Sequence, residues 1–194
     1  MISNYFKVFF ILFLFIFSNE VKSKTNENIE FRASELSNYF SAVVAYGNQE
    51  NEQSLKYFKS SRNLLNKHEE YLRQYIFSLV LNQNVTRAIQ EIKFSENKKN
   101  SIFFESYLLL FLDSIKKKDY KKSNLYLNEI SNYKDLGTFE QVIYETLKSY
   151  LFAFKEKELI SYESNFGNLT IINEAFIKCY LDDPKTIVYF ENLL

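Results

Sequence analysis

The strongest constraint on this chain is a spacing. Ser54, Ala88 and Ser123 stand 34 and 35 positions apart, each near the start of a helix-like phrase at residues 51–58, 85–92 and 120–127. A small residue recurring at that interval marks a stack of similar units rather than one irregular core. Each phrase follows a separate apolar-periodic segment, so the unit is a pair of helices, A then B.

In the first unit Leu36, Tyr39, Phe40, Val43 and Val44 recur three and four apart over residues 33–46, one face of a helix with Ser34 as its cap. Gly47 is expected to supply the left-handed conformation that ends it. Helix B then runs over residues 52–65 through Leu55, Phe58 and Leu65. The second unit covers residues 69–97. Glu69 and Glu70 suit the positive end of the helix dipole, Leu72, Tyr75, Ile76 and Leu79 make the stripe, and Ala88, Ile89 and Ile92 line helix B. The third A helix, residues 102–116, is apolar nearly all round, which predicts cover on both sides. Its B helix starts after Lys118 or Asp119 and carries Leu125, Leu127 and Ile130.

Three glycines and one proline leave few places for tight turns, which favours an all-α fold. The 24 basic and 24 acidic residues balance, so no basic excess exists to attract a phosphate backbone, and nucleic acid is excluded as a partner.

Helix pairs at this period, with a small residue opening each second helix and a large apolar one four later, resemble tetratricopeptide repeats. Ser54, Phe58 and Ser61 match that pattern, as do Ala88, Ile92 and Ser95; Ser123 and Leu127 match in the third unit, where Ile130 departs from the small residue. The family's proline between repeats falls on Asn66, Asn100 and Asp135, which form turns without being proline. The small residue inside helix A is Ala42 in unit one but Ile76 and Phe111 in the others.

The resemblance spans residues 33–135 and implies a right-handed α-solenoid of antiparallel helix pairs. It implies a concave face, lined by the A helices, that binds another protein or peptide. The family's inward positions fall on Tyr39, Val43 and Tyr46, on Arg73, Phe77 and Val80, and on Leu108, Leu112 and Lys116. Tyr39 and Val43 stand where the subfamily that clamps a terminal carboxylate has lysine and asparagine, so an apolar or helical peptide fits better. Plain helix packing is the alternative role for each of the nine.

Beyond residue 135 Thr138 is placed to cap a fourth A helix at residues 139–154. The next anchor falls on Lys157, inside the charged run 155–158, so the period fails there. A helix over residues 169–181 follows, then Asp183 and Pro184 as cap and first-turn proline of a last helix reaching residue 194. Residues 136–194 thus continue or cap the stack. The apolar run 187–194 predicts docking onto something else or a chain that stops short of its natural end, since an end unit needs a polar outer face.

No chemistry is visible. A single histidine, His68, and a single cysteine, Cys179, build neither a triad nor a metal site, and three glycines hold no phosphate loop. Cys179 sits in an apolar helical pattern that predicts a buried thiol, and Asp182 and Asp183 read as caps. The expectation is a protein without catalysis, metal or small-molecule cofactor.

Lys7 followed by the unbroken apolar run 8–17 reads as a targeting segment. Such a run covers roughly 15 Å as a helix, about half a bilayer's hydrocarbon thickness. Val21 and Ser23 suit a signal-peptide cleavage after residue 23, with an uncleaved membrane anchor as the alternative. Residues 24–32 read as a disordered leader. The expected destination is outside the cytoplasm, in the periplasm.

Overall fold

The computed structural model describes residues 32–66, 69–95, 103–133, 135 and 137–191. Among the described residues every regular element is helical: α1 (Ala33–Gly47), α2 (Asn51–Ser60), α3 (Glu69–Leu81), α4 (Val85–Ser95), α5 (Phe104–Lys116), α6 (Tyr120–Ser131), α7 (Thr138–Glu156), α8 (Asn168–Tyr180) and α9 (Thr186–Glu191). A 3-10 turn over Arg62–Asn66 follows α2, where the sequence predicts a continuous helix. The targeting segment, the leader as far as Phe31, His68 and Asn100 lie outside the described residues.

The first three A helices end alike. Gln49, Gln83 and Lys118 take left-handed φ angles of 64°, 60° and 57°. In each turn the next amide reaches back five residues, Glu50 to the Ala45 carbonyl at 2.9 Å, Asn84 to Leu79 at 2.8 Å and Asp119 to Ser114 at 2.9 Å. The left-handed residue donates to the carbonyl three before it, that of Tyr46, Val80 or Ile115. This pair of bonds satisfies carbonyls that a helix end otherwise leaves open. No glycine is used: Gly47, expected at the left-handed position, is the last residue of α1, two places earlier.

Five residues beyond each left-handed residue stand Ser54, Ala88 and Ser123, all fully buried. Their amides donate to Glu50, Asn84 and Asp119, which starts the return helix at the same place each time. Ser54 Oγ also donates to the Ala42 carbonyl at 3.0 Å and lies 3.1 Å from Ser78 Oγ, while Ser123 Oγ lies 2.8 Å from Ser114 Oγ. Contacts this close leave no room for a larger side chain. The third pair has an added device, an Asp119 carboxylate that accepts the Lys122 amide as a cap.

Two apolar clusters lie under these helices. One joins α1 to α4 around Phe58, Tyr71, Tyr75, Leu79 and Ile92 and takes in Leu110 of α5. The other joins α5, α6 and α7 through Phe104, Phe111, Leu127, Ile130 and Leu151. Ile130 is fully buried there, so the large residue that breaks the repeat pattern fills the second cluster. The expected cover on both sides of α5 is incomplete, because Leu112 is 54% exposed.

Neighbouring pairs are tied by polar side chains. Arg62 donates from one nitrogen to both oxygens of buried Glu91 at 2.8 Å, from the turn after α2 to α4. Lys93 of α4 bonds Asp113 of α5 at 2.9 Å, and Lys117 bonds the same carboxylate at 2.8 Å.

After α7 the pattern changes. This helix of 19 residues ends at left-handed Lys157, φ 62°, whose amide donates to Ala153 at 3.1 Å. Five residues on stands Tyr162, and no helix forms before Asn168. A tyrosine cannot enter the space that Ser54, Ala88 and Ser123 occupy, so the chain runs alongside α7 instead. Gln141 donates to Ser164 at 3.1 Å, Lys148 pairs with Glu163, and Asn173 of α8 donates to Thr146 at 3.0 Å.

The double-bonded turn returns at Asp182, φ 54°, but five residues on stands Ile187, 69% exposed, and α9 buries none of its residues. Two local expectations are corrected here. Gly137, not Thr138, occupies the cap position of α7. Cys179 is exposed, although it lies one turn after buried Ala175 on the same face of α8. The last helix is described to Glu191, and residues 192–194 lie outside the described residues.

Candidate protein-binding surfaces

The nine residues picked from the sequence separate into three groups. Tyr39 belongs to the core: it is 6% exposed, its ring stacks on Tyr71 at 5.7 Å, and its hydroxyl donates to Gln74 at 3.4 Å. Its burial, and after it the nearby charge of Glu70, push its phenol pKa up. This ring serves packing and offers no surface to a partner. Val43 and Val80 are half-buried against the first cluster and Leu108 against the second. Their outer edges alone are accessible.

Tyr46, Arg73, Phe77, Leu112 and Lys116 are half or fully exposed. Arg73 and Phe77 come together one turn apart on α3. Arg73 donates to Glu105 of α5 at 2.7 Å, and its guanidinium lies 5.8 Å from the ring centres of both Phe77 and Phe103. The two rings meet edge to face at 6.2 Å. The Glu105 hydrogen bond is the main influence raising the arginine's pKa, with Glu70 and Tyr46 adding electrostatically, which places the Tyr46 phenol in the same neighbourhood. An exposed ion pair contributes about 0–1 kcal/mol and an exposed cation–π contact about 0.5–1 kcal/mol. The gain in stability is small; together these contacts hold the guanidinium against the pair of rings.

Phe103 and Glu105 complete the cluster, and neither is marked as a site residue by the sequence pattern. In the sequence Phe103 looks like any apolar residue of the third A helix, and Glu105 like a solvated charge. A signal existed, since Glu105 lies 32 positions after Arg73, close to one repeat, and a charge pair near the period joins neighbouring A helices.

A second accessible feature was not anticipated at all. Between the first half of α6 and the second half of α7 lies a groove of about 650 Å³, lined by Leu125, Leu151, Phe152 and Ile160 among others, with Lys121, Lys148 and Lys155 along it. A third, of about 630 Å³, lies beside α1 and α2 and contains Phe40 and Val44, which are 58% and 63% exposed.

Among the described residues no group of three or more histidines, cysteines, aspartates and glutamates is placed to hold a metal ion, and no helix is long and apolar enough to cross a membrane. The chain matches no family model, no curated protein and no solved structure.

Proposed function

We propose that the chain is a scaffold of tetratricopeptide-like helix pairs, a right-handed α-solenoid, that binds another protein or peptide on the face formed by α1, α3 and α5. Support for the architecture comes from three turns with the same bonds at the repeat spacing, and from side chains joining α1 to α3 and α3 to α5. The observation that carries the binding reading is Arg73 held by Glu105 against the rings of Phe77 and Phe103. A held cation beside a pair of aromatic rings, with Tyr46 near it, suits a peptide with an apolar anchor and one acceptor group, since rigid aromatics and arginine dominate binding energy at interfaces. Catalysis has no part in this reading, and the role is assigned outside the cytoplasm on the strength of the targeting segment alone.

The test is a binding comparison. Affinity capture with the parent chain and with Arg73→Glu combined with Phe77→Ala should recover a partner from the first and lose it from the second. Equal recovery by both removes the proposed surface.

A second reading is favoured by a different observation. Phe176, Ile187 and Val188 are all more than half exposed on α8 and α9. Under this reading the chain is an accessory subunit of a cell-envelope enzyme or assembly complex, docked through its last helices. A well-behaved monomer in sedimentation, unchanged by Ile187→Ser, would count against it.

A further inference from the structure

The groove between α6 and α7 has a definite place in the repeat. After α1, α3 and α5 the chain turns at a left-handed residue and folds straight back as the partner helix. After α7 it turns at Lys157 in the same conformation, but the return helix is replaced by residues 158–166 without helix. The site such a helix would start from lies beside the end of α7 and the start of α6. The residues lining the groove, Tyr120, Lys121, Asn124 and Leu125 on one wall and Leu151, Phe152, Lys155 and Glu156 on the other, come from those two helix ends.

We infer that this groove is a docking site for an acidic amphipathic helix of another protein, which takes the position of the missing return helix. Two features select that occupant. The floor is apolar and open: Leu125 is 56% exposed, while Phe152 and Ile160 are half-buried, so an apolar helix stripe would cover surface that water now touches. The rim is basic: Lys121, Lys148 and Lys155 face a single lining carboxylate, Glu156.

Lys121 has no ion pair among the described residues, and the partners of the other two, Glu163 for Lys148 and Glu156 for Lys155, are exposed surface pairs. Such pairs contribute about 0–1 kcal/mol and exchange readily for an incoming carboxylate. A docked helix therefore needs apolar residues at three- and four-residue spacing and glutamate or aspartate on both flanks. Tyr162 explains why this chain cannot supply the helix from its own next segment.

The experiment uses two synthetic helical peptides of about 16 residues, stapled because an isolated helix of this length is marginal in water. Both carry the same leucine and alanine stripe; one has glutamate flanks and the other lysine flanks. Fluorescence polarisation with the full chain should show the acidic peptide binding at least about tenfold more tightly, a difference of about 1.4 kcal/mol. Leu125→Asp should weaken the acidic peptide by about tenfold or more, and Lys121→Glu with Lys155→Glu should reverse the preference. All three positions are exposed, so the helical circular dichroism of the variants should equal that of the parent.

Arg73→Glu should leave this binding unchanged, which keeps it distinct from the proposed peptide-binding face. Equal affinity for both peptides, binding that ignores Leu125→Asp, or no binding overturns the inference. A concentration-dependent dimer of the parent that Leu125→Asp abolishes would also overturn it, by making a second copy the occupant.

Discussion

The first three helix pairs and the chain after Lys157 each turn at a left-handed residue and reach different ends. Left-handed residues at Gln49, Gln83 and Lys118 are each followed five positions later by a fully buried small residue, whereas Lys157 and Asp182 are followed by Tyr162 and Ile187. The turn reverses the chain in both regions. Whether the reversed chain then packs as a helix depends on the size of one side chain at the point of closest approach. In the first region that residue is absorbed between helices; in the second, Tyr162 lies in a stretch without helix and α9 rests on α8 with none of its residues buried.

This contrast is easiest to break in the core. Phe58 is fully buried four places after Ser54, and Phe58→Ala should lower unfolding free energy by about 3–5 kcal/mol in urea titration. Its counterpart in the tail, Phe176→Ala, removes a ring that is 53% exposed and should change stability by less than about 1 kcal/mol.

The next effect tests size directly. Ser123→Leu places a branched side chain beside Ser114 and should cost about 1–3 kcal/mol, or separate α6 from α5. Ile187→Ala in the tail should stay within about 0.5 kcal/mol by the same titration.

A comparable or smaller loss is expected from the clamp between the first two pairs. Arg62→Met leaves the Glu91 carboxylate, 8% exposed, with Arg87 at 3.8 Å as its remaining ion-pair partner, and should cost about 1–3 kcal/mol. In differential scanning calorimetry this appears as a lower Tm that Glu91→Leu, combined with it, partly restores.

The smallest effect concerns the link between the second and third pairs. Desolvation alone would push the Asp113 carboxyl up, but hydrogen bonds from Lys117 and Lys93 outweigh it and hold the pKa below the ordinary carboxylate value. A lowered folded-state pKa gives stability that is present above the unfolded value of about 3.9 and is lost as pH falls through the folded value. Asp113→Asn should therefore lower Tm modestly at pH 7, by an amount worth about 0–1 kcal/mol, and the difference from the parent should vanish at pH 2–3.

Much of the first region is legible in the sequence because its signals are local. The apolar stripes place α1, α3 and α5, and the small residues place α2, α4 and α6, all by periods that the helix itself imposes. The turns are less legible. Gly47 looks like the left-handed residue, yet Gln49 takes that role, because the place is set by where Ala45 and Tyr46 present their carbonyls and not by which nearby residue is most permissive.

Cys179 misleads for a related reason. Its apolar neighbours suggest a buried stripe, but the cover on α8 stops short of its last turn: Ala175 and Ile177 are buried, whereas Cys179 is exposed and Tyr180 remains 45% exposed although its ring meets Phe154 of α7 at 4.8 Å. The candidate site was half legible. Arg73 and Phe77 carry a register visible within one helix, while Phe103 and Glu105 complete the cluster from across the pair boundary.

A small residue at the fifth position after the left-handed turn decides whether a return helix is locked. Native-state hydrogen exchange resolved by residue tests it most directly. The amides of Phe58, Ile92 and Leu127 should exchange only with global unfolding, while those of Val188, Tyr189 and Phe190 in α9 should exchange through local opening, orders of magnitude faster. Equal protection of α9 and the three early return helices would contradict the claim.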